Sequence, residues 1–237
     1  MPSIANTGAV CAILAAGSSS RAGTDKITAD LGGQPVLGWS LASAIASGAF
    51  ARIVVVVRPD APRGPIEAIV RSRAPDASIV AGGETRTKSS WAALAAANDA
   101  DIIAIHDSAR PFAPPSLFTR CVEIARADGS AVAGLPLADT VRRADEAGVA
   151  IEEVSREGLW SAQTPQVFQR AVLERARVAV GDRSFGDDAA ALRAAGLPVR
   201  MVLGERRNLK ITTMEDLAYA RELVAKGLVG VPALQIR

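Results

Sequence analysis

Aromatic side chains and charge of a single sign are both scarce in this sequence. Three Trp, one Tyr and five Phe among 237 residues offer few stacking platforms, which counts against binding of single-stranded nucleic acid. The formal net charge is +2, so no sheet of positive potential for a nucleic-acid backbone is implied. The two cysteines, Cys11 and Cys121, both fall in apolar contexts. They read as buried thiols in a reducing, cytoplasmic compartment rather than as a disulfide framework. His106 is the single histidine, and no His/Cys cluster has zinc spacing. The phosphate motifs G-x-x-x-x-G-K-S/T and G-x-G-x-x-G are missing, as is the G-x-S-x-G elbow of serine hydrolases. The first ten residues carry no Lys or Arg, and the apolar run behind them is short. Neither a signal peptide nor a membrane span is expected.

What is present is ordinary in bulk and specific in pattern. With 49% hydrophobic and 22% charged residues, the chain fits one large α/β domain, or one domain with an appendage. The apolar run Ala9–Ala15 stops at a glycine, three serines, Arg21, Gly23 and Lys26. That predicts a buried parallel strand and then a polar loop rich in backbone N–H groups, suited to phosphates. A plain strand-to-helix connection is the competing reading. Helical spacing follows over 35–47, with strands at 53–57 and Ser78–Ala81 and a short helix at 67–73. A helix at 87–98, a strand at 102–105 and a helix capped by Ser116 come next, then a strand at 131–137. Residues 139–158 break the rhythm with a hairpin pattern and little capacity to form a core. A two-stranded arm of this kind is unstable alone and is expected to pack on something such as a second subunit. Helices at 169–180 and 187–195, a strand at 199–203 and a helix opened by Thr213 and Asp216 complete the chain. Residues 227–237 read as a loosely held tail. Strands alternating with helices predict a mostly parallel sheet covered on both faces.

Ligands of open α/β sheets bind beyond the carboxyl ends of the strands. That rule selects the loops 17–26, 82–88, 106–111 and 136–140. They contain Arg21, Lys26, Arg86, Lys88 and Arg110 around a single strand-end carboxylate, Asp107. Several cations around one acid do not suit paired-carboxylate glycoside chemistry. They suit an anionic, phosphate-bearing substrate with a divalent metal bridging phosphate to carboxylate. A non-catalytic nucleotide-binding protein remains the alternative. His106 reads as a hydrogen-bonded structural residue, because a phosphate nucleophile is already anionic and needs no base.

The series LAAGSSSR…DK, GGETR, HDSARP, ADTVRR, REGLWSAQTPQ and NLKITTMEDL resembles the 2-C-methyl-D-erythritol 4-phosphate cytidylyltransferases of the non-mevalonate isoprenoid pathway. The likeness runs from about residue 10 to 225. Its first segment is shared with many nucleotidyltransferases, whereas HDSARP, GLWSAQTPQ and NLKIT in this order are far more specific. Ribitol-5-phosphate cytidylyltransferases share the pattern and compete. The resemblance implies a single Rossmann-like nucleotidyltransferase domain over 1–237 with a protruding β-arm at about 138–158. It also implies CTP and an alcohol phosphate as substrates, Mg²⁺ as cofactor, and a homodimer formed through the arm.

By matching position, the resemblance assigns Arg21, Lys26 and Lys210 to the reacting phosphates, and Asp107 to Mg²⁺ and substrate. Ala15, Ala16 and Gly17 would give backbone contacts to the nucleotide, and Gly83, Glu84, Arg86 and Ser89 would frame cytosine and ribose. Arg110, Thr140, Arg156 and Thr164 fall on the alcohol-phosphate side, with Thr140 and Arg156 reaching the neighbouring subunit's site. The family commonly has proline where Leu14 and Asp25 stand, and often a bulkier residue at Ala22. Glu84 replaces a shorter Asp of some members.

Overall fold

The computed structural model describes residues 8–16, 26–60 and 63–232. Seven strands form one sheet. In chain order they are β1 (Ala9–Ala15), β2 (Arg52–Val57), β3 (Ser78–Ala81), β4 (Ile102–Asp107), β5 (Ser130–Pro136), β8 (Trp160–Gln169) and β9 (Met201–Leu203). Between β5 and β8, the strands β6 (Val141–Ala144) and β7 (Ala150–Val154) make a separate antiparallel pair, the arm. The spatial order is β3-β2-β1-β4-β8-β5-β9. Pairing is parallel throughout except where β8 runs antiparallel to β4 and β5. The sheet is therefore mostly parallel, as its continuous apolar runs dictate: a strand buried on both faces has no polar alternation to display.

Helices cover both faces. α1 (Val36–Ala46), α2 (Arg63–Arg73) and α4 (Pro115–Asp128) pack on the face that carries Cys11, Ile13, Val55 and Ala104. α3 (Arg86–Ala96), α5 (Arg170–Val180) and α6 (Asp188–Ala194) cover Ala12, Leu14, Val56 and Ile105. Successive residues of each central strand thus feed opposite cores, as a period of two requires. The last helix, α7 (Met214–Ala225), closes a third cluster through Leu217, Ala220 and Leu223, against Trp39, Phe112 and Ile211. Both halves of its capping box form between Thr213 and Asp216. Ser116 does not cap α4. The helix begins at Pro115 with Pro114 at the cap, which bears no side-chain cap bond; proline with its preset φ starts the helix two positions earlier.

β8 is the element that the sequence pattern hides. Its only large apolar residues besides Trp160 are Val167 and Phe168, and Pro165 would demote such a run to an edge. The register against β5 shifts between Val132 and Gly134, opposite Gln166 and Ala162. Pro165 lies in that irregular stretch, where its missing N–H interrupts no ladder pair. The direction of the chain reverses about β1: β2 and β3 lie on one side, β4 and the rest on the other. The switch point is therefore the gap between the carboxyl ends of β1 and β4, where Leu14 is paired with Asp107.

Candidate active site

Asp107 ends β4 at this switch point, with 12% of its side chain exposed. Two cations reach it from distant parts of the chain. Lys210 Nζ stands 2.7 Å from one carboxylate oxygen and Arg86 Nε 3.6 Å from the other. Burial alone would raise the Asp107 carboxyl, but Arg86 and Lys210 outweigh it and hold the group down at about 2. Arg86 opens α3, whose start is fixed by the Thr85 hydroxyl accepting from the Lys88 N–H at 3.1 Å. The loop before it must be glycine. A Cβ on Gly82 would lie 2.6 Å from Ser89 Oγ, and one on Gly83 2.4 Å from Lys88 Cβ. Ser89 Oγ in turn accepts the Gly83 N–H at 3.2 Å and donates to the Thr85 carbonyl at 3.0 Å.

Residues 205–212 bring Lys210 in. The buried Asn208 carboxamide donates to the Thr164 carbonyl at 2.8 Å and to Gln163 at 3.1 Å, both on β8. Arg110 Nη1 donates to the Asn208 carbonyl at 2.7 Å, and the Ile211 N–H to the Ala109 carbonyl at 2.9 Å. Lys26 Nζ donates to the Thr212 carbonyl. Arg86, Arg110 and Lys210 therefore stand around one strand-end acid, and Lys26 is tied to Thr212 in the same segment as Lys210.

His106 lies behind this cluster, fully buried and edge-on to Phe118. Nε2 is 3.1 Å from the Arg110 carbonyl, which can only accept, so Nε2 carries the proton. Nδ1 then accepts from the Thr164 hydroxyl at 3.0 Å, and that hydroxyl accepts the Asp107 N–H at 3.0 Å. Burial, against the pull of Asp107, lowers the imidazole to about 4. A neutral ring with both nitrogens committed is a structural brace, as the sequence reading expects.

The remaining assigned positions divide. Ala15 and Ala16 lie at the end of β1 beside Asp107. Thr164 is 3% exposed, its hydroxyl engaged as described. Glu84 is exposed and paired with Lys88 Nζ at 2.9 Å, which lowers its carboxyl. Thr140 and Arg156 are exposed at the root of the arm, where Arg156 donates to the Ala138 carbonyl. No bond among the described residues joins those two to the Asp107 cluster. Gly17, Arg21, Ala22 and Asp25 lie outside the described residues, as do positions 233–237 of the expected tail.

A second carboxylate stands by, away from the strand ends: buried Asp188, at the start of α6, lies 2.8 Å from Arg86 Nη2. Asp188, Gln163, Gln166 and Asn208 escape a reading that looks only at strand ends. The one available signal is the Asp187-Asp188 pair, an N-cap pattern opening α6. With Asp188 taken up by Arg86, the Asp107 carboxylate amid cations fits Mg²⁺, which commonly binds through one or two carboxylates and takes its other ligands from substrate phosphates and water. The described residues contain no group of three or more His, Cys, Asp or Glu that could hold a metal unaided.

Comparison with known proteins bears on this geometry. A bifunctional enzyme IspD/IspF from an Anaeromyxobacter species is 43% identical over 221 residues, covering 91% of this chain and 57% of that protein. The chain thus spans little more than half the length of the bifunctional relatives. The 2-C-methyl-D-erythritol 4-phosphate cytidylyltransferase of Microcystis aeruginosa is 38% identical over 225 residues, covering 91% of this chain and 98% of that one. The crystal structure of 4-diphosphocytidyl-2C-methyl-D-erythritol synthase from Anaerococcus prevotii superposes with a TM-score of 0.79 at 26% identity, over 93% of this chain and 99% of that one. The family model IspD, 2-C-methyl-D-erythritol 4-phosphate cytidylyltransferase, matches residues 9–226, and the chain belongs to that family.

Proposed function

We propose that this chain transfers the cytidylyl group of CTP to 2-C-methyl-D-erythritol 4-phosphate, releasing pyrophosphate and giving 4-diphosphocytidyl-2-C-methyl-D-erythritol. The observation that carries this reading is the gathering of Arg86, Arg110 and Lys210 about Asp107 at the switch point of the sheet, with Lys26 tied to Thr212 in the segment that brings Lys210. The phosphate of the alcohol attacks the α-phosphorus in line, and the bond to pyrophosphate breaks. No proton has to leave the nucleophile, so the chain's work is alignment and charge neutralisation. Lys210 and Lys26 face the oxygens on which charge builds, and Arg110, with its backbone fixed by His106, holds the incoming phosphate. Asp107 would hold Mg²⁺, whose charge would offset part of the negative charge of the nucleotide phosphates. Cytosine falls to the Gly83–Ser89 turn, whose backbone lining favours a small ring over a purine.

We further propose that the arm clasps a second copy and that its Thr140 and Arg156 complete the partner's site. Val149 and Ile151 are 60% and 61% exposed there, which supports an apolar contact with another chain. A cytoplasmic setting accords with the two free, buried thiols, and no described helix is long and apolar enough to cross a membrane. Pyrophosphate release is the direct test, measured with CTP plus either methylerythritol phosphate or ribitol 5-phosphate, with and without Mg²⁺. Release with the first alcohol phosphate and Mg²⁺ supports the assignment. Release with ribitol 5-phosphate alone, or with neither, overturns it.

A further inference from the structure

We infer that Asp188 is a positioning residue for Asp107, acting through Arg86. It stands in the first turn of α6, with its side chain 2% exposed. Asp187 caps that helix by accepting the Ala190 N–H at 2.8 Å. Gln166 of β8 accepts the N–H groups of Asp188 and Ala189, each at 3.1 Å, and donates to Asp187 at 2.9 Å. The backbone carrying Asp188 is thus bolted to the sheet. Its carboxylate lies 2.8 Å from Arg86 Nη2, whereas Arg86 Nε remains 3.6 Å from Asp107 Oδ1.

The difference between those two distances carries the inference. A guanidinium beside a lone carboxylate closes into a short, forked pair. Here the close contact goes to Asp188 through Nη2 alone, and Arg86 lends Asp107 positive potential from beyond hydrogen-bond distance. On the other oxygen Asp107 has Lys210, a side chain 42% exposed that can swing away to a phosphate. A divalent cation arriving at Asp107 then competes with one movable ammonium rather than with a clamped guanidinium as well. Without the Asp188 charge, Arg86 would close on Asp107. This rests on the reading of Asp107 as the metal-holding acid.

The test uses the whole chain with Mn²⁺ as probe, free Mn²⁺ being read by electron paramagnetic resonance at saturating CTP. Asp188→Asn should weaken Mn²⁺ binding about tenfold or more, with metal-free CTP affinity changed by less than about twofold. A merely structural loss would lower both together. Asp188→Asn leaves a buried cation without its close partner, so the same substitution is also made in an Arg86→Gln background. There it should weaken Mn²⁺ binding no further than Arg86→Gln alone does, because no guanidinium remains to close on Asp107. Wild-type Mn²⁺ affinity in folded Asp188→Asn overturns the inference, and so does an equal loss from Asp188→Asn whether or not Arg86 is present. A wild-type chain that binds no Mn²⁺ with CTP overturns the functional reading itself, and this inference with it.

Discussion

Burial decides the state of His106. The folded imidazole stays neutral down to about pH 4, whereas an ordinary histidine protonates near 6.5. Between those values the unfolded chain holds the extra proton, so stability falls as the pH drops through this window, by up to about 3 kcal/mol. Asp107 works in a lower window. Its stabilising contribution is complete above 3.8 and is lost as the pH falls towards about 2. Urea unfolding at pH 7 and pH 4.5 should therefore show a smaller pH difference in His106→Gln than in the wild type; an equal difference would mean that another group titrates there. The lysines make a different prediction. Lys210→Ala and Lys26→Ala should each cost about 10²–10³ in kcat, the scale for losing one preorganised donor. Melting temperatures should hardly move, because Lys210 is 42% exposed and Arg86 still faces Asp107. Turnover unchanged in either purified variant would remove that lysine from the site.

The arm is an element whose stability within the chain is weak. Its strands pair Arg142 with Glu153 at 3.1 Å and Arg143 with Glu152 at 2.8 Å. Exposed pairs of this kind contribute little. Its turn is better fixed: the Asp145 carboxylate accepts the Ala147 and Val149 N–H groups, and Gly148 takes a φ of +82° that other residues avoid. A hairpin with exposed Val149 and Ile151 and no core of its own motivates the proposed dimer. If that proposal holds, Ile151→Asp should shift the chain from dimer to monomer in sedimentation velocity, without lowering the melting point of the isolated subunit. A dimer that persists would place the subunit contact elsewhere. At the arm's root, Arg156→Ala should raise KM for the alcohol phosphate while CTP affinity stays nearly constant. Equal weakening of both ligands would move Arg156 off the alcohol-phosphate side.

At the scale of the whole molecule, β8 ties the site to both cores. Val167 packs in one core and Phe168 in the other, while Gln163, Thr164 and Gln166 of the same strand brace Asn208, Asp107 and Asp188. Site and fold therefore share a single spine. Phe168→Ala should cost about 3–5 kcal/mol by urea unfolding, the usual range for a buried ring. A loss below about 1 kcal/mol would mean that the ring is not part of the close-packed core.

The amino-acid sequence by itself determined the alternation of strands and helices, the buried runs of β1, β2 and β4, and the capped start of α7. It also determined which loops carry cations, because apolar period and turn chemistry act between near neighbours in the chain. Only the tertiary structure decided that a polar, proline-bearing segment lies between β4 and β5. It alone brought Lys26 to Thr212, 186 residues away, and set Asp188 against Arg86. Spacing along the chain holds no record of such meetings. They follow from strand order and from the rule that a buried polar group must find a partner, wherever the sheet happens to bring one.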